Sequence, residues 1–452
     1  MRKHTTTTAP SATSSSHLWS QASRLDGLDR PTVWHEFSPL AVEHQSINLG
    51  QGFPDWQPPE FCLRALQKSI NDNQANQYAR SQAHLSLANV LAEEYSERFD
   101  RDVNPATQIA TATGCTNVLY CALQGLIDKG DEVVLLEPAF DIYSSQVQMA
   151  GGTCVYCPLR PSESDGNDQT ASSASRAFQL DLNELEACIN SKTKVLILNT
   201  PHNPTGKIFS KKELEGISKI VQKHPQLTII SDEVYEHIVF DTTKEPHISI
   251  ATIPGMWDQT LTISSSGKTF SCTGWKVGWA VGPPHLVAVV AAVQQWVNFS
   301  AVTPTQDAIA QALVQARQPY HGFDTYYDYV AEEYRRKRDL LVEALESASM
   351  KPMIPNGGFF IMAETSAVEF DYESESKIIT ESCPTNPMPR DWALSRWLTK
   401  EVGVTAIPPS AFYSSPNIPL AKNLLRFAYC KSDETILEAH KRLQTYFNGA
   451  NE

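Results

Sequence analysis

The sequence has no run of about 18 apolar residues, so it predicts no helix that spans a membrane. Cations are also few: 37 Lys and Arg stand against 51 Asp and Glu, which leaves a formal charge of −14. This balance argues against nucleic acids and anionic membranes as partners, because both require clustered Lys and Arg. A metal site is not predicted either, since Cys154 and Cys157 form a lone CxxC motif without a second CxxC or a His pair.

The nine cysteines are an odd number and are scattered along the chain. Most of them lie in apolar segments, as Cys62, Cys121 and Cys188 do. This pattern is typical of reduced thiols in an intracellular protein and not of a disulfide framework.

The first residues are rich in Ser and Thr, and they predict a disordered tail over residues 1–22. Arg2, Lys3 and His4 precede the first acid, Asp26, as in a mitochondrial presequence. The tail has no apolar segment of a secretory signal and little amphipathic arginine spacing. The sequence therefore predicts a cytoplasmic protein, with mitochondrial import left open.

The body of the chain alternates short apolar runs with amphipathic segments. This alternation predicts an α/β fold with a mostly parallel sheet, helices on both of its faces, and ligands at the carboxyl ends of the strands. The predicted strands are Asp131–Glu137, Lys194–Asn199, Leu227–Ser231 and Thr260–Ile263, and the predicted helices include Asn117–Ile127 and Lys211–Gln222.

The pattern changes beyond about residue 330. A charged helix over Tyr334–Leu345 precedes short strands around Gly358–Met362 and Leu424–Tyr429, which indicates a smaller α+β domain. Two polar segments, Ser162–Ser175 and Phe370–Arg390, predict surface excursions. The predicted division is a tail over 1–22, an N-terminal arm and part of the small domain over 23–60, a large domain over 61–330, and a small C-terminal domain over 331–452.

Two lysines, Lys268 and Lys276, follow the strand Thr260–Ile263 in a segment crowded with Ser, Thr and Gly. A lone lysine is usually a solvated surface charge. In such a turn, however, one amine can form a Schiff base with a carbonyl cofactor while a second cation binds the cofactor's phosphate. These are the requirements of pyridoxal 5′-phosphate (PLP).

Other strand-to-loop boundaries supply further parts of a PLP site. The turn that contains Gly114, Cys115 and Thr116 opens a helix whose free N–H groups suit a phosphate, although Thr116 or Asn117 could simply be its N-cap. Phe140 follows a strand, where its ring could stack on a pyridine ring or pack in the core.

Three more polar side chains fit the same cofactor. Asn203 follows a strand and can donate to the phenolic oxygen of PLP and to a substrate carboxylate, or it can belong to a plain Asn-Pro turn. Asp232 ends a buried strand, where a carboxylate is costly unless it is paired, and a protonated pyridine nitrogen would pair with it. Tyr235, three residues further on, can reach the phenolic oxygen.

These motifs together resemble the class I PLP-dependent aminotransferases of fold type I, and most closely the group of kynurenine aminotransferases and cysteine-conjugate β-lyases. The resemblance extends from about residue 24 to about residue 445. It is carried by Arg24–Asp29, Ile47–Asp55, Asn76–Tyr78, Asn199–Lys207, Ser231–Tyr235, Gly267–Gly278 and Leu425–Phe427.

The resemblance implies a role for each candidate residue. Lys268 matches the lysine that binds PLP covalently, Asp232 the partner of the pyridine nitrogen, and Tyr235 and Asn203 the ligands of the phenolic oxygen. The remaining matches are Phe140 as the stacking ring; Gly114, Cys115, Thr116, Ser265 and Lys276 near the phosphate; Arg426 on the substrate α-carboxylate; and Gly52 and Trp34 in the pocket wall. Tyr78 matches a residue that reaches the phosphate from a neighbouring subunit, which implies a homodimer.

Two departures from the family pattern lie near the pocket. Ala83 and Leu85 stand where relatives usually have Gly and Pro, and Cys115 lies near a position where the kynurenine enzymes often have an aromatic residue. The identity of the substrate is therefore left open at this stage.

The predicted activity is transfer of an amino group from an aromatic or large neutral L-amino acid, of the kynurenine, tryptophan or phenylalanine type, to a 2-oxo acid. Trp34 and Phe140 offer apolar walls, and Trp296 and Phe299 are candidates either for the pocket or for a helix or interface face. Two alternatives remain: a C–S β-lyase acting on cysteine S-conjugates, and a protein of the same fold that has lost catalysis.

Overall fold

The computed structural model of the chain describes residues 21–160 and 172–449. Residues 1–20 of the predicted tail and residues 162–171 of the predicted excursion Ser162–Ser175 lie outside the described residues. Within the described residues, no helix combines the length and the apolar character needed to cross a membrane.

Twelve strands and fifteen α-helices are present in the described part of the chain. The strands are β1 Ile47–Asn48, β2 Ile109–Thr113, β3 Glu132–Glu137, β4 Thr153–Pro158, β5 Thr193–Asn199, β6 Thr228–Asp232, β7 Thr260–Ser265, β8 Val277–Val281, β9 Lys351–Met353, β10 Phe360–Glu364, β11 Val404–Thr405 and β12 Leu424–Ala428.

The helices are α1 Val33–Glu43, α2 Glu60–Ile70, α3 Leu85–Phe99, α4 Cys115–Leu126, α5 Asp141–Met149, α6 Ser173–Ala177, α7 Leu182–Ala187, α8 Lys211–Val221, α9 Ser266–Thr269, α10 Pro284–Val297, α11 Thr303–Ala316, α12 Tyr326–Ser347, α13 Tyr372–Glu375, α14 Arg390–Trp397 and α15 Asp433–Gly449.

The main sheet has seven strands in the order β2-β8-β7-β6-β5-β3-β4. Strands β3 to β7 pair in parallel, whereas β8 is antiparallel to both of its neighbours. This is the mostly parallel sheet that the sequence predicts. The prediction missed β2 and β8, because β2 is rich in Ala and Thr and β8 is interrupted by Gly278.

The side chains of β5 alternate between two hydrophobic clusters, one on each face of the sheet. Both faces of the strand are therefore buried, and its apolar run is continuous. Val195 and Ile197 of β5 pack in a cluster with residues of α4 and α10, whereas Leu196 and Leu198 pack in a second cluster with residues of α8. Helices therefore cover both faces of the sheet, as predicted for parallel strands. The same alternation separates Cys154 from Cys157 on β4, since the two side chains join opposite clusters and cannot share one metal ion.

Helix α4 begins at Cys115, two residues before the predicted start. Its N-cap is Gly114, whose φ of +80° favours glycine, so Thr116 and Asn117 are inside the first turn and the N-cap prediction for them is wrong. The side chain of Asn117 instead accepts a hydrogen bond from the Thr113 backbone at 3.2 Å. This start points the free N–H groups of α4 toward the carboxyl edge of the sheet.

A second, three-stranded antiparallel sheet has the order β12-β10-β9, and α12 and α15 pack against each other nearby. The short strands β1 and β11 pair in parallel and join the N-terminal segment to the C-terminal part of the chain. The domain boundaries near residues 60 and 330 stay a prediction.

The predicted excursion over Phe370–Arg390 contains the short helix α13 and is anchored to the interior. Cys383 and Met388 are buried in a cluster with Phe37 and Trp392. Because the segment is polar in composition, its sequence did not indicate that Cys383 and Met388 would be buried.

Candidate active site

A cavity of about 660 Å³ lies at the carboxyl edge of the main sheet. Residues that follow β2, β3, β5, β6 and β7 meet there, joined by residues of β12 and of the N-terminal segment. Of the fourteen site residues predicted from sequence, thirteen line this cavity: Trp34, Gly52, Gly114, Cys115, Thr116, Phe140, Asn203, Asp232, Tyr235, Ser265, Lys268, Lys276 and Arg426.

Lys268 lies on the short helix α9, directly after β7. Its Nζ donates to the backbone oxygen of Gly52 at 3.3 Å and lies 5.3 Å from the centre of the Phe359 ring. Burial lowers the pKa of Lys268, although the nearby Cys430 and Asp232 raise it. A lowered pKa increases the fraction of neutral amine, which is the form that reacts with a carbonyl.

Asp232 is the last residue of β6, and its side chain is buried. Its Oδ2 accepts a hydrogen bond from the Tyr143 hydroxyl at 2.7 Å, but no Lys, Arg or His among the described residues forms an ion pair with it. Burial raises the pKa of Asp232 to about 6, against the opposing effect of the Tyr143 hydrogen bond. A cationic group bound in the cavity would therefore form an ion pair with this carboxylate.

The start of α4 and the segment before β8 form a narrow cradle. A Cβ on Gly114 would lie 3.0 Å from Cε of Lys276 and 3.2 Å from its Nζ, so the lysine side chain crosses directly over this glycine. A Cβ on Gly278 would lie 2.3 Å from the backbone nitrogen of Cys115. Because Gly114 and Gly278 have no side chains, Lys276 can lie against the N-terminus of α4, which is the positive end of the helix dipole. A cation at a helix N-terminus is an arrangement that binds phosphate.

Arg426 lies on β12 and is 1% exposed. It donates to Oδ1 of Asn203 at 3.2 Å and to the backbone oxygen of Gly50 at 2.6 Å, while its Nε has no hydrogen-bond partner among the described residues. Burial lowers the pKa of Arg426 to about 10. A buried guanidinium with an unused donor is suited to a carboxylate.

Aromatic rings surround this guanidinium. Its Cζ lies 4.2 Å from the centre of the Phe360 ring, 5.0 Å from that of Phe412 and 5.4 Å from that of Trp34. The wall next to Arg426 is therefore apolar. Gly52 must be a glycine here, because a Cβ would lie 2.5 Å from Cζ of Phe360.

Phe140, Tyr143 and Tyr235 line the same cavity as Lys268 and Asp232. The ring of Phe140 meets the ring of Tyr143 edge to face at 5.8 Å, and the ring of Tyr235 meets that of Phe359 in the same manner at 5.0 Å. Burial raises the pKa of Tyr235, and the charge of Asp232 raises it further, so its hydroxyl stays protonated and able to donate.

Tyr78 is the predicted site residue that does not line the cavity of its own chain. It is 84% exposed, and its ring contacts that of Phe299 at 5.1 Å. Trp296 and Phe299 also lie outside the cavity, at 85% and 51% exposure. Within one chain, neither of them forms a wall of the pocket.

Three of the cavity residues that were not predicted from sequence contact predicted site residues directly. Tyr143 binds Asp232, Asp141 accepts from Trp34, and Phe360 covers Arg426. Tyr143 follows Phe140 by three residues, which is one helical turn, so the helical spacing could have indicated it. No local sequence pattern indicated Phe360, because the pairing of β10 with β12 places it beside Arg426.

One group of three described residues, Glu233, Glu236 and His247, has its ligand atoms close enough together to hold a metal ion. Their oxygens already accept hydrogen bonds: Glu233 from Ser231 and Ser249, both at 2.7 Å, and Glu236 from Ser264 at 2.7 Å. We interpret the group as part of a buried charge network and not as a metal site.

The cavity fits PLP. Lys268 offers an amine for its aldehyde, the Gly114 and Lys276 cradle offers a place for its phosphate, and the unpaired buried carboxylate of Asp232 offers a partner for a protonated ring nitrogen. Asn203 and Tyr235 line the same cavity and could donate to the phenolic oxygen. These roles are the ones that the sequence predicts, and they stay predictions for the individual residues.

Replacing Tyr143 by Phe tests the link between Tyr143 and Asp232. The Tyr143 hydrogen bond lowers the pKa of Asp232, so its loss raises that pKa further, and the ionised carboxylate is then lost at a higher pH. We expect the acidic limb of the kcat/KM profile to move up by about one pH unit, with a loss of less than about tenfold at pH 8. Tyr446→Phe, outside the cavity, is the control; an unmoved limb in Tyr143→Phe would contradict the link.

Comparison with known proteins shows the family of the chain. The model of the aminotransferase class I and II family matches residues 44–443. A kynurenine–oxoglutarate transaminase from Dictyostelium discoideum is 43% identical over 417 residues, which cover 91% of this chain and 93% of that protein.

Two solved structures have the same fold over nearly their whole length. Bna3p from Saccharomyces cerevisiae superposes with a TM-score of 0.86 at 32% identity, covering 95% of this chain and 99% of that one. YbdL from Escherichia coli, for which a methionine aminotransferase function is described, superposes with a TM-score of 0.81 at 31% identity, covering 94% and 100%. The chain therefore belongs to the class I and II aminotransferases of fold type I, and is a PLP-dependent transaminase that acts on amino acids and 2-oxo acids.

Proposed function

We propose that this transaminase takes its amino group from an aromatic or large neutral L-amino acid of the kynurenine, tryptophan or phenylalanine type. The main support is the pair of aromatic rings, Trp34 and Phe360, that line the cavity beside the guanidinium of Arg426. A substrate whose α-carboxylate binds Arg426 has its side chain next to these rings. Apolar or aromatic side chains gain most from such contact.

The mechanism starts with binding of the α-carboxylate. Arg426 offers its planar fork and Asn203 its side-chain amide, while the Gly50 oxygen that Arg426 contacts holds the guanidinium in place. Because Arg426 is buried and its neighbours are fixed, the Cα of a bound substrate is held at a constant position relative to Lys268. This positioning lowers the entropic cost of the proton transfer that follows.

The proton at Cα is then removed. PLP, when bound, supplies an aldehyde that binds amines and a protonated ring that withdraws electron density from Cα. Lys268 accepts the proton through its neutral Nζ, which its burial favours. Asp232, which accepts a hydrogen bond from Tyr143, would hold the ring nitrogen of PLP in its charged form, and Tyr235 and Asn203 would donate to its phenolic oxygen. Lys268 would hold this proton on Nζ and could donate it in a later step, and the same residues would serve the reverse reaction with a 2-oxo acid.

The alternative is a C–S β-lyase acting on cysteine S-conjugates. The same residues would remove the same proton, and a thiolate on Cβ would leave instead of the proton returning. No separate group would be required, since Lys268 serves as the base in both reactions. The substrate therefore decides between the two outcomes.

A panel of amino donors and 2-oxo acids tests the proposal. Kynurenine, tryptophan and phenylalanine should shift the cofactor absorbance band and form their 2-oxo acids, with kcat/KM at least about tenfold above that for alanine. Pyruvate release from an S-aryl cysteine without added 2-oxo acid would favour the lyase. If small aliphatic donors react as well as aromatic ones, the proposed substrate class is wrong.

We further propose that two chains form a homodimer through the exposed apolar side chains of Tyr78, Trp296, Val297, Phe299 and Val302, which are all at least half exposed. Tyr78 and Phe299 are in ring contact, and the Ala79 backbone donates to Thr303 Oγ1 at 3.1 Å, so these side chains form one patch. A second copy would bring Tyr78 to the neighbouring cavity.

Replacing Trp296 by Asp places a charge in this patch and should break the dimer. Light scattering should give twice the chain mass of 50.2 kDa for the unchanged protein and a value near 50.2 kDa for the variant at low micromolar concentration. Replacing Leu437, an exposed residue of α15, by Asp is the matched control and should leave the mass unchanged. A monomeric unchanged protein would refute the proposal.

A cytoplasmic location is proposed from the sequence alone. Fractionation of cells that express the full chain, or the chain without residues 1–20, tests it. Recovery of only the full chain in mitochondria would show that the tail directs import.

A further inference from the structure

Glu137, the last residue of β3, is a buried carboxylate that the proposed mechanism does not use. No Lys, Arg or His within the described ranges forms an ion pair with it. Its Oε1 accepts a hydrogen bond from the backbone N–H of Ser414, and its Oε2 accepts from the Ser414 hydroxyl at 3.1 Å and from Nδ2 of Asn417 at 2.6 Å. Burial raises the pKa of Glu137, and the hydrogen bonds from Asn417 and Ser414 lower it. Both oxygens are therefore bound to one distant segment of the chain.

A fourth hydrogen bond joins the same two stretches of chain. The backbone N–H of Ala139 donates to the backbone oxygen of Phe412 at 2.8 Å. Residues 137–139 are thus tied to residues 412–417 by backbone and side-chain hydrogen bonds together, although Glu137 and Ser414 are 277 residues apart in sequence. The end of β3 and this segment therefore hold a fixed position relative to each other.

The segment over residues 412–417 supports the side of the cavity that contains Arg426. The centre of the Phe412 ring lies 5.0 Å from Cζ of Arg426 and 6.4 Å from the ring centre of Trp34, although Phe412 itself does not line the cavity. The preceding chain is also bound to Arg426, because Ile407 and Arg426 exchange two backbone hydrogen bonds of 3.0 Å. Phe412 therefore packs against the guanidinium and the indole ring from outside the cavity.

The β3 end of this connection leads to a different part of the cavity wall. Phe140 and Asp141 follow Glu137 by three and four residues, and both line the cavity. Asp141 accepts a hydrogen bond from Nε1 of Trp34 at 2.8 Å, so Trp34 contacts both stretches of chain. The hydrogen bonds of Glu137 consequently complete a closed ring of contacts. In such a ring the position of each member depends on two neighbours, so the loss of one link loosens the others.

We propose that Glu137 is a positioning residue for the substrate α-carboxylate and acts by holding Phe412 against Arg426. This inference rests on the proposed function, in which Arg426 binds that carboxylate, and it extends the binding site to a residue outside the cavity. The hydrogen bonds of Arg426 to Asn203 and Gly50 leave its Nε free, so the packed rings restrict the rest of the guanidinium. A displacement of about 1 Å at a positioning group can weaken a step by up to about 100-fold.

Glu137→Met tests this role, because methionine keeps the length of the side chain and removes both accepting oxygens. The first half of the reaction is followed on the holoenzyme, from the change in cofactor absorbance during a single turnover with phenylalanine. We expect the half-saturating concentration of phenylalanine to rise by about tenfold, while the limiting rate constant stays within about threefold. This split follows because Arg426 holds the carboxylate before and during the chemical step alike.

Glu137→Gln is the conservative variant and should restore the function. Its amide oxygen can still accept from the Ser414 N–H, and its NH₂ group can donate to the side-chain oxygen of Asn417 after that amide turns over. The half-saturating concentration should therefore stay within about threefold of the value for the unchanged protein. If Glu137→Met does not fold, the double variant Ser414→Ala, Asn417→Ala decides, because it removes two hydrogen bonds at half-buried positions. A rise of at least about threefold supports the role, and an unchanged value refutes it.

2-Phenylethylamine separates positioning from general damage to the site. It has the amine and the ring of phenylalanine but no α-carboxylate, so it does not use Arg426. Its Kd, from the same absorbance change, should stay within about threefold in Glu137→Met. The Kd of the cofactor should also stay within about threefold, because the phosphate cradle of Gly114 and Lys276 lies on other elements.

Glu245 provides the matched control. It is also a buried carboxylate, accepts a hydrogen bond from the Ser172 backbone N–H at 3.2 Å, and lies outside the cavity. Glu245→Met should lower the thermal unfolding midpoint and leave the half-saturating concentration of phenylalanine unchanged. A similar rise in Glu245→Met, or an equal change for phenylalanine and 2-phenylethylamine in Glu137→Met, would overturn the inference.

The outcomes also distinguish this role from the proposed function. If no amino acid changes the absorbance of the holoenzyme, the proposed function fails and the role of Glu137 fails with it. If Arg426→Ala weakens the binding of phenylalanine but Glu137→Met does not, only the role of Glu137 is wrong. If both variants weaken it and Glu137→Gln does not, the role is supported.

Discussion

Replacement of Lys268 by Ala should reduce transaminase turnover by about 10⁴-fold. The variant loses the amine that reacts with the cofactor and the base that removes the proton at Cα, and general base catalysis alone contributes up to about this factor. Turnover is measured as 2-oxo acid formation from phenylalanine with saturating cofactor. Borohydride reduction followed by peptide mapping should find the cofactor on residue 268 in the unchanged protein and on no residue of the variant.

The fold should survive this substitution, because Lys268 makes a single hydrogen bond within the described part of the chain, to the Gly52 backbone oxygen at 3.3 Å, and has a lowered pKa caused by burial. The thermal unfolding midpoint of the cofactor-free variant should stay within a few degrees of the unchanged protein. Lys211→Ala is the matched control, since Lys211 is 70% exposed and outside the cavity, and it should retain full turnover. Retention of more than a tenth of the turnover in Lys268→Ala would exclude the assigned role.

Replacement of Arg426 by Ala should lower kcat/KM for amino donors by about 100-fold or more. The loss of one partner of a buried, hydrogen-bonded charge pair commonly costs a few kcal/mol, and here the lost partner is the one that holds the α-carboxylate. Cofactor affinity should change by less than about threefold, because Arg426 contacts Asn203, Gly50 and the aromatic wall and not the phosphate cradle. Both constants come from absorbance titrations of the same preparations.

Arg338 provides a matched control for this prediction. Like Arg426, it donates to a backbone oxygen, that of Pro355 at 2.9 Å, and lies over an aromatic ring, that of Phe240 at 5.0 Å. It does not line the cavity. Arg338→Ala should reduce stability without a selective loss of substrate binding. Equal losses of substrate and cofactor binding in Arg426→Ala would mean that the residue supports the site as a whole and does not bind the carboxylate.

Arg426→Lys separates charge from geometry. Lysine keeps the positive charge but lacks the planar fork that binds a carboxylate through two hydrogen bonds. We expect a loss in kcat/KM of at least about tenfold with cofactor affinity unchanged. If the cavity left in Arg426→Ala lowers the stability of the protein, Arg426→Lys still tests whether the guanidinium binds the α-carboxylate.

Local patterns predicted the central strands well because each strand is buried on both faces. The predicted strand Lys194–Asn199 begins one residue after the observed β5 and ends at the same residue. The predicted strand Leu227–Ser231 begins and ends one residue before the observed β6. The strands β2 and β8 escaped prediction, since Ala, Thr and Gly give little hydrophobic signal. They pair with each other in the sheet, and this pairing depends on residues far apart in sequence.

The start of α4 demonstrates a different limit. Thr116 and Asn117 are good N-cap residues by type, but Gly114 takes that position because its backbone adopts a positive φ. The close approach of Gly278 to Cys115 also requires this geometry. That contact joins segments more than 160 residues apart and is not visible in the local sequence.

The sequence by itself determined the chemistry. A lysine after a strand, a carboxylate at the end of another and an asparagine in a fixed turn are recognisable because reactive groups follow the carboxyl ends of buried strands. The arginine near the C-terminus was recognisable through the family resemblance. Only the tertiary structure decided which side chains complete the cavity. Asp141, Tyr143 and Phe360 belong to it because α5 and β10 pack beside Asp232 and Arg426, and such contacts between distant segments are fixed by packing of the whole chain and not by any local pattern.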